Sequence, residues 1–125
     1  MDDCIFCNII KGEIPAEKIY EDDNFISIFD VKPIGDGHTL VIPKKHFKTL
    51  LDIPTSLGNE LLEALKETTL ILMKKYKAEG FNIFMNNFEV GGQIVPHAHV
   101  HILPRKKGDG IKMAVNLNKI KDMSE

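Results

Sequence analysis

The chain opens on an apolar group, Cys4-Ile5-Phe6-Cys7-Asn8-Ile9-Ile10, with Ile5 and Ile9 four apart and Phe6 and Ile9 three apart. That spacing predicts a short helix, with Asp3 placed to cap its start and Gly12 to end it. Pro15 then enforces an extended stretch. Lys18-Ile19-Tyr20 and Phe25-Ile26-Ser27-Ile28-Phe29 read as two short strands joined by a polar hairpin turn, Glu21-Asp22-Asp23-Asn24. A loop punctuated by Pro33, Gly35 and Gly37 leads into a third strand, His38-Thr39-Leu40-Val41-Ile42, stopped by Pro43. The period then changes. From about Ser56 to Glu79, Leu61, Leu62, Leu65, Thr69, Leu72, Met73 and Tyr76 fall on one helical stripe, opposite Glu60, Glu63, Glu67, Lys74 and Lys77. Thr55 or Ser56 caps this long helix and Gly80 ends it. Phe81 to Asn86 predicts a fourth strand and His97 to Leu103 a fifth, ended by Pro104. Strands on both sides of one long helix predict an α+β domain with a mainly antiparallel sheet.

Composition adds bounds to that pattern. The 125 residues are 43% hydrophobic and 27% charged, the balance of one ordinary globular domain, residues 1–125. Residues 108–125 carry little core-forming pattern and read as a tail, mobile or set against a partner subunit. A net charge of −2 from 16 basic and 18 acidic residues offers no electrostatic footprint for nucleic acid or an anionic membrane. Apolar runs are short, and Met1-Asp2-Asp3 begins no signal-like segment, so the expected location is cytoplasmic.

Histidine changes the picture. Three of the five histidines fall in His97-Ala98-His99-Val100-His101, alternating with apolar residues. On a strand, alternate side chains share a face, so the three rings are expected in a row at about 6.6 Å intervals. A solvated polar face is the plainest account of such a row. A metal site and a nucleophile with proton-handling neighbours are the two sharper ones. Gly91-Gly92-Gln93 lies just upstream, where glycines let backbone N–H groups approach an anion. Asn86 adds an uncharged donor at a strand end. Cys4 and Cys7 form a C-x-x-C pair that reads as redox-active, metal-ligating or simply two buried small residues.

The string His97-Ala98-His99-Val100-His101-Ile102-Leu103 resembles the signature of the histidine triad (HIT) family. Gly92-Gln93, Gly37-His38-Thr39-Leu40-Val41-Ile42-Pro43-Lys44-Lys45-His46, Ile5-Phe6-Cys7-Asn8-Ile9-Ile10 and Glu13-Ile14-Pro15-Ala16 resemble other parts of it, in order, over residues 4–107. The resemblance implies a five-stranded, mainly antiparallel sheet with one long and one short helix, and a homodimer. It implies hydrolysis or transfer of a nucleoside monophosphate joined to a leaving group at the α-phosphate (a phosphoramidate or a dinucleoside polyphosphate), with no organic cofactor and a purine nucleotide such as AMP as substrate or product. His99 would be the nucleophile, forming a nucleotidyl-imidazole that water cleaves. His101, Gln93, Gly92 and Asn86 would hold the phosphate, with His38 supporting the triad from the neighbouring strand. Asp30 would bind the ribose hydroxyls, and Ile5, Phe6, Ile9 and Val31 would form the base pocket.

Many relatives carry Ser or Thr after Gly-Gln, whereas this chain has Ile94. The loss of that hydroxyl keeps open a second function, a nucleotide-binding regulatory module with little turnover. The zinc-containing branch of the family resembles the arrangement of Cys4, Cys7, His46 and His97, which implies structural zinc in a Cys₂His₂ set. Binding of one catalytic zinc by His97, His99 and His101 together is the competing metal reading. Alternate residues of a flat strand span too far for it.

Overall fold

The computed structural model describes residues 3–113; most of the tail, residues 114–125, lies outside the described residues. Helix α1 spans Ile5–Ile10, strand β1 Lys18–Glu21, β2 Phe25–Phe29 and β3 Thr39–Pro43. Helix α2 spans Gly58–Tyr76, and strands β4 and β5 span Gly80–Phe84 and Val100–Arg105. The five strands form one antiparallel sheet in the order β1-β2-β3-β5-β4.

The sheet is covered on two faces, as the alternation in β2 dictates. Phe25 packs with Val41, Val100, Ile102 and the α2 residues Ala64 and Leu72. Ser27, also fully buried on that face, shares a 2.6 Å hydrogen bond with Thr68 of α2. Ile26 and Ile28 face the other way, into a second cluster with Leu40, Ile42 and Phe6 of α1. This second face carries the functional groups, because His101 stands opposite Leu40 on β3 and opposite Phe84 on β4.

Several boundaries differ from the sequence-based expectation. Cys4, not Asp3, caps α1; its backbone is extended and its sulfur accepts the Cys7 N–H. Helix α2 begins after a 3₁₀ turn, Thr55–Leu57, with no side-chain cap. It ends at Lys77, whose left-handed φ of 52° turns the chain, while Ala78 N–H closes on Met73 O at 3.0 Å. Gly80 is therefore free to begin β4. The buried stripe is rotated too: Ala64 and Thr68 are in the core, whereas Leu62 is exposed. Strand β5 starts at Val100 and runs through Pro104. The β3 ladder stops at Ile102, so the missing Pro104 N–H interrupts no pairing on that side.

Gly37 marks where the loop turns into β3 just ahead of His38. Its φ is +80°, and a Cβ there would sit 2.8 Å from the Tyr76 ring. Only glycine combines that conformation with so close an approach. Among the described residues no helix is long and apolar enough to cross a membrane.

Candidate functional site

The histidine row does not form one line of rings. Before β5 the chain bends: His97 N–H closes on Val95 O at 2.8 Å, and Ala98 N–H bonds Phe47 O at 2.7 Å instead of joining the β3 ladder. His97 is thereby turned away from its neighbours and completely buried. His99 and His101 remain together, with ring centroids 5.0 Å apart. The row thus splits into one group beside the cysteines and two beside a cavity.

The first group is a cluster of Cys4, Cys7, His46 and His97. His97 Nε2 lies 2.8 Å from Pro43 O. A carbonyl only accepts, so Nε2 carries the ring proton and Nδ1 keeps its lone pair. That nitrogen faces Cys4 Sγ at 3.3 Å and Cys7 Sγ at 3.6 Å, and His46 Nδ1 lies 3.3 Å from Cys7 Sγ. Tetrahedral ligation with metal–sulfur bonds of about 2.3 Å and metal–nitrogen bonds of about 2.05 Å places S and N roughly 3.5 Å apart. The donor set and its spacing therefore fit zinc. Burial pushes the Cys7 thiol pKa up, and the adjacent Cys4 adds to this; metal binding there releases protons. The arrangement places His97 outside any three-histidine site.

The second group lines a cavity of about 390 Å³, within the roughly 300–1,000 Å³ range of small-molecule sites. Ile5, Phe6 and Ile9 form one wall and Ile28, Phe29 and Leu40 another, with Asp30, Val31 and Lys32 at one side. Asn86, Gly92, Ile94, Val95, His99 and His101 complete it. Ile94 and Val31 stand at the mouth, 91% and 90% exposed. Sequence reasoning missed Ile28, Phe29, Lys32, Leu40 and Val95; Ile28 and Leu40 were available from the period of β2 and β3.

Backbone groups set the tautomers here. His99 Nδ1 lies 2.7 Å from His97 O, so Nδ1 is protonated and Nε2 is the lone-pair nitrogen. Ile34 N–H donates to His38 Nδ1 at 3.0 Å, so His38 holds its proton on Nε2. That proton is donated to His101 Nδ1 at 2.9 Å, leaving His101 with an Nε2–H donor. Phe84 stacks on the His101 ring at 4.4 Å, nearly parallel. Asp30 approaches His38 Nε2 at 3.7 Å. Asp30, His38 and His101 also gather within metal-ligating distance. The Ile34 N–H blocks that use, since a metal on Nε2 of neutral His38 would need the proton moved to Nδ1.

Gln93 departs from its expected place. Its amide donates to Lys48 O at 2.6 Å and Val95 O at 3.0 Å, and its carbonyl accepts the Phe88 N–H at 2.8 Å. With those groups engaged it braces the loop and does not line the cavity. Gly92, at φ +94°, brings the loop backbone beside the Asn86 side chain. Arg105 is likewise committed, to Asp109, Asn82 and Ile111 O.

Burial lowers the pKa of His101 to about 4, and that of His38 below its usual value. For His101, the neighbouring His99 and His38 add to the effect. These rings are neutral in the folded state, whereas unfolded histidine binds protons from about pH 6.5. Between those values the unfolded state binds more protons, so stability rises with pH. Stability is expected to be full above pH 6.5 and to fall on the order of 2 kcal/mol toward pH 4. Urea midpoints measured at pH 7 and pH 4.5 check this; equal midpoints would contradict neutral burial.

Comparison with known proteins identifies the family. A HIT domain family model matches residues 11–108. An Arabidopsis thaliana protein named adenylylsulfatase is 40% identical over 86% of this chain and 55% of its own length. A Candida albicans protein named adenosine 5'-monophosphoramidase is 39% identical over 82% of this chain and 70% of its own. The crystal structure of a zinc-bound histidine triad protein from Mycobacterium smegmatis superposes with a TM-score of 0.83, at 33% identity, over 99% of both chains. With the split histidine row and the five-stranded sheet in place, the chain belongs to the HIT domain family.

Proposed function

We propose that the protein hydrolyses a nucleoside monophosphate conjugate at its α-phosphate, using His99 Nε2 as nucleophile. The carrying observation is the 2.7 Å bond from His99 Nδ1 to His97 O, which fixes the neutral ring in its nucleophilic tautomer. Nε2 attacks phosphorus, the bond to the leaving group breaks, and a nucleotidyl-imidazole forms. Water then attacks the same phosphorus, releasing the nucleoside monophosphate and regenerating His99. The net proton from water goes to the leaving group. His101 Nε2–H, oriented by His38, donates to a phosphoryl oxygen, where charge builds in the transition state. Asn86 and the Gly92 backbone approach the phosphate from the loop. Asp30 binds the ribose hydroxyls, and Ile5, Phe6, Ile9 and Val31 hold the base. Gln93 supports the loop from behind.

Cys4, Cys7, His46 and His97 would hold zinc, whose role is to crosslink α1 to the segment before β5. A homodimer accords with the exposed Phe81 and Ile83 on edge strand β4 and the exposed Leu62 and Leu70 on α2. The proposed leaving group is the amine of a phosphoramidate or the second nucleotide of a dinucleoside polyphosphate. The reading is supported by the family and by the names of the two relatives, both of which refer to adenylyl compounds.

Purified protein incubated with an adenosine phosphoramidate, or separately with diadenosine tetraphosphate, is expected to release AMP from at least one. The faster substrate names the leaving-group class. AMP binding without release from either would favour the regulatory module, with Ile94→Ser the substitution to restore a hydroxyl at the cavity mouth.

A further inference from the structure

The metal cluster and the cavity share parts. Phe6 stands edge-on to both His97 and His99, with ring centroids 5.8 and 5.1 Å apart. Its chain neighbour Cys7 belongs to the cluster, while Ile5, Phe6 and Ile9 form a cavity wall. His97 is shared in a second way. Its ring faces the sulfurs through Nδ1, and its own carbonyl accepts the His99 Nδ1–H.

Helix α1 is six residues long, too short to persist without tertiary anchors. The cysteines anchor its first turn, and Phe6 anchors it in the apolar cluster with Ile26, Ile28 and Leu40. Emptying the metal cluster removes the first anchor and leaves the His97 ring held on its Nε2 side alone, by the Pro43 carbonyl. The cavity wall then loosens, and with it the carbonyl that selects the His99 tautomer.

We infer that metal in the Cys4–Cys7–His46–His97 cluster and nucleotide in the cavity are thermodynamically coupled, with Phe6 and His97 as the positioning residues that carry the coupling. The inference rests on the nucleotide reading given above. Coupling between two ligands is reciprocal, so each strengthens the other by the same factor.

AMP is titrated by calorimetry into zinc-loaded and chelator-stripped full-length protein, with circular dichroism recorded on both. Stripping is expected to weaken AMP binding about tenfold or more, while the sheet signal persists. Competition with a chromophoric chelator is expected to show zinc held tighter by the same factor at saturating AMP. Imidazole ¹⁵N shifts should report a single Nδ1–H tautomer of His99 when zinc is bound and a mixture when it is removed. In zinc-loaded Phe6→Ala, which retains the ligands, the factor by which AMP tightens zinc should fall toward one.

Equal AMP affinity in both forms overturns the inference, as does a Phe6→Ala protein with undiminished coupling. Loss of the sheet signal on stripping also overturns it, because the coupling would then run through global unfolding. AMP binding to neither form removes the nucleotide reading beneath it, a separate and recognisable result.

Discussion

His99→Ala is expected to reduce AMP release by at least about 10⁴-fold while leaving AMP affinity within a few-fold of the parent. The asymmetry follows from where the ring sits. His99 is one of many residues lining the cavity, and the apolar wall from α1, β2 and β3 survives its removal. No other side chain there offers the same nucleophile. His101 directs Nε2–H into hydrogen bonding because its Nδ1 already accepts from His38. His38 is itself pinned by the Ile34 N–H. Neither ring can supply a lone pair at Nε2 without reversing that chain of bonds. Steady-state kinetics and calorimetry on the same preparation check the split. Turnover near the parental rate in His99→Ala would remove the covalent mechanism, and loss of AMP binding would show that the ring holds the fold of the site.

Much of the fold was legible because the hydrophobic period changes cleanly along the chain. The run Phe25 to Phe29 marked a strand and the apolar spacing through α2 marked one long helix, whereas the covering of both faces of β2 emerged only from the fold. Errors came where tertiary contacts override local pattern. Leu62 reads as core but is exposed, while Ala64 and Thr68 are buried because the Ser27 hydroxyl and the closely packed sheet select small residues there. The alternation of His97, His99 and His101 pointed to the candidate site but suggested a single row. The Ala98 N–H to Phe47 O bond breaks that row. The tautomers were beyond the sequence, because each is set by a backbone group brought in by the fold: Pro43 O, His97 O and the Ile34 N–H. Gln93 shows the limit of carrying a role by resemblance. Its residue type was read as a phosphate contact, yet the Lys48 and Val95 carbonyls take its donors.

Cys4→Ser combined with Cys7→Ser is expected to abolish bound zinc and lower the melting temperature by roughly 10 °C, the consequence of losing about 3 kcal/mol in a domain of this size. The cluster joins segments far apart in the chain: the start of α1, the loop after β3 and the bend before β5. Without metal, His97 is a fully buried ring with Nδ1 opposite two hydroxyls in place of thiolates. The loss stays well below total stability, because Phe6 still packs with Ile26, Ile28 and Leu40, and the α2 face of the sheet is untouched. The double variant should therefore remain folded at 25 °C with a destabilised first helix. Metal analysis and thermal melts on the parent, the double variant and the chelated parent check this together. The chelated parent and the variant should melt alike, since both lack the same crosslink. A variant that keeps one zinc per chain would refute the site. A variant that loses zinc and melts like the loaded parent would refute its structural role and leave the cluster without a stabilising function.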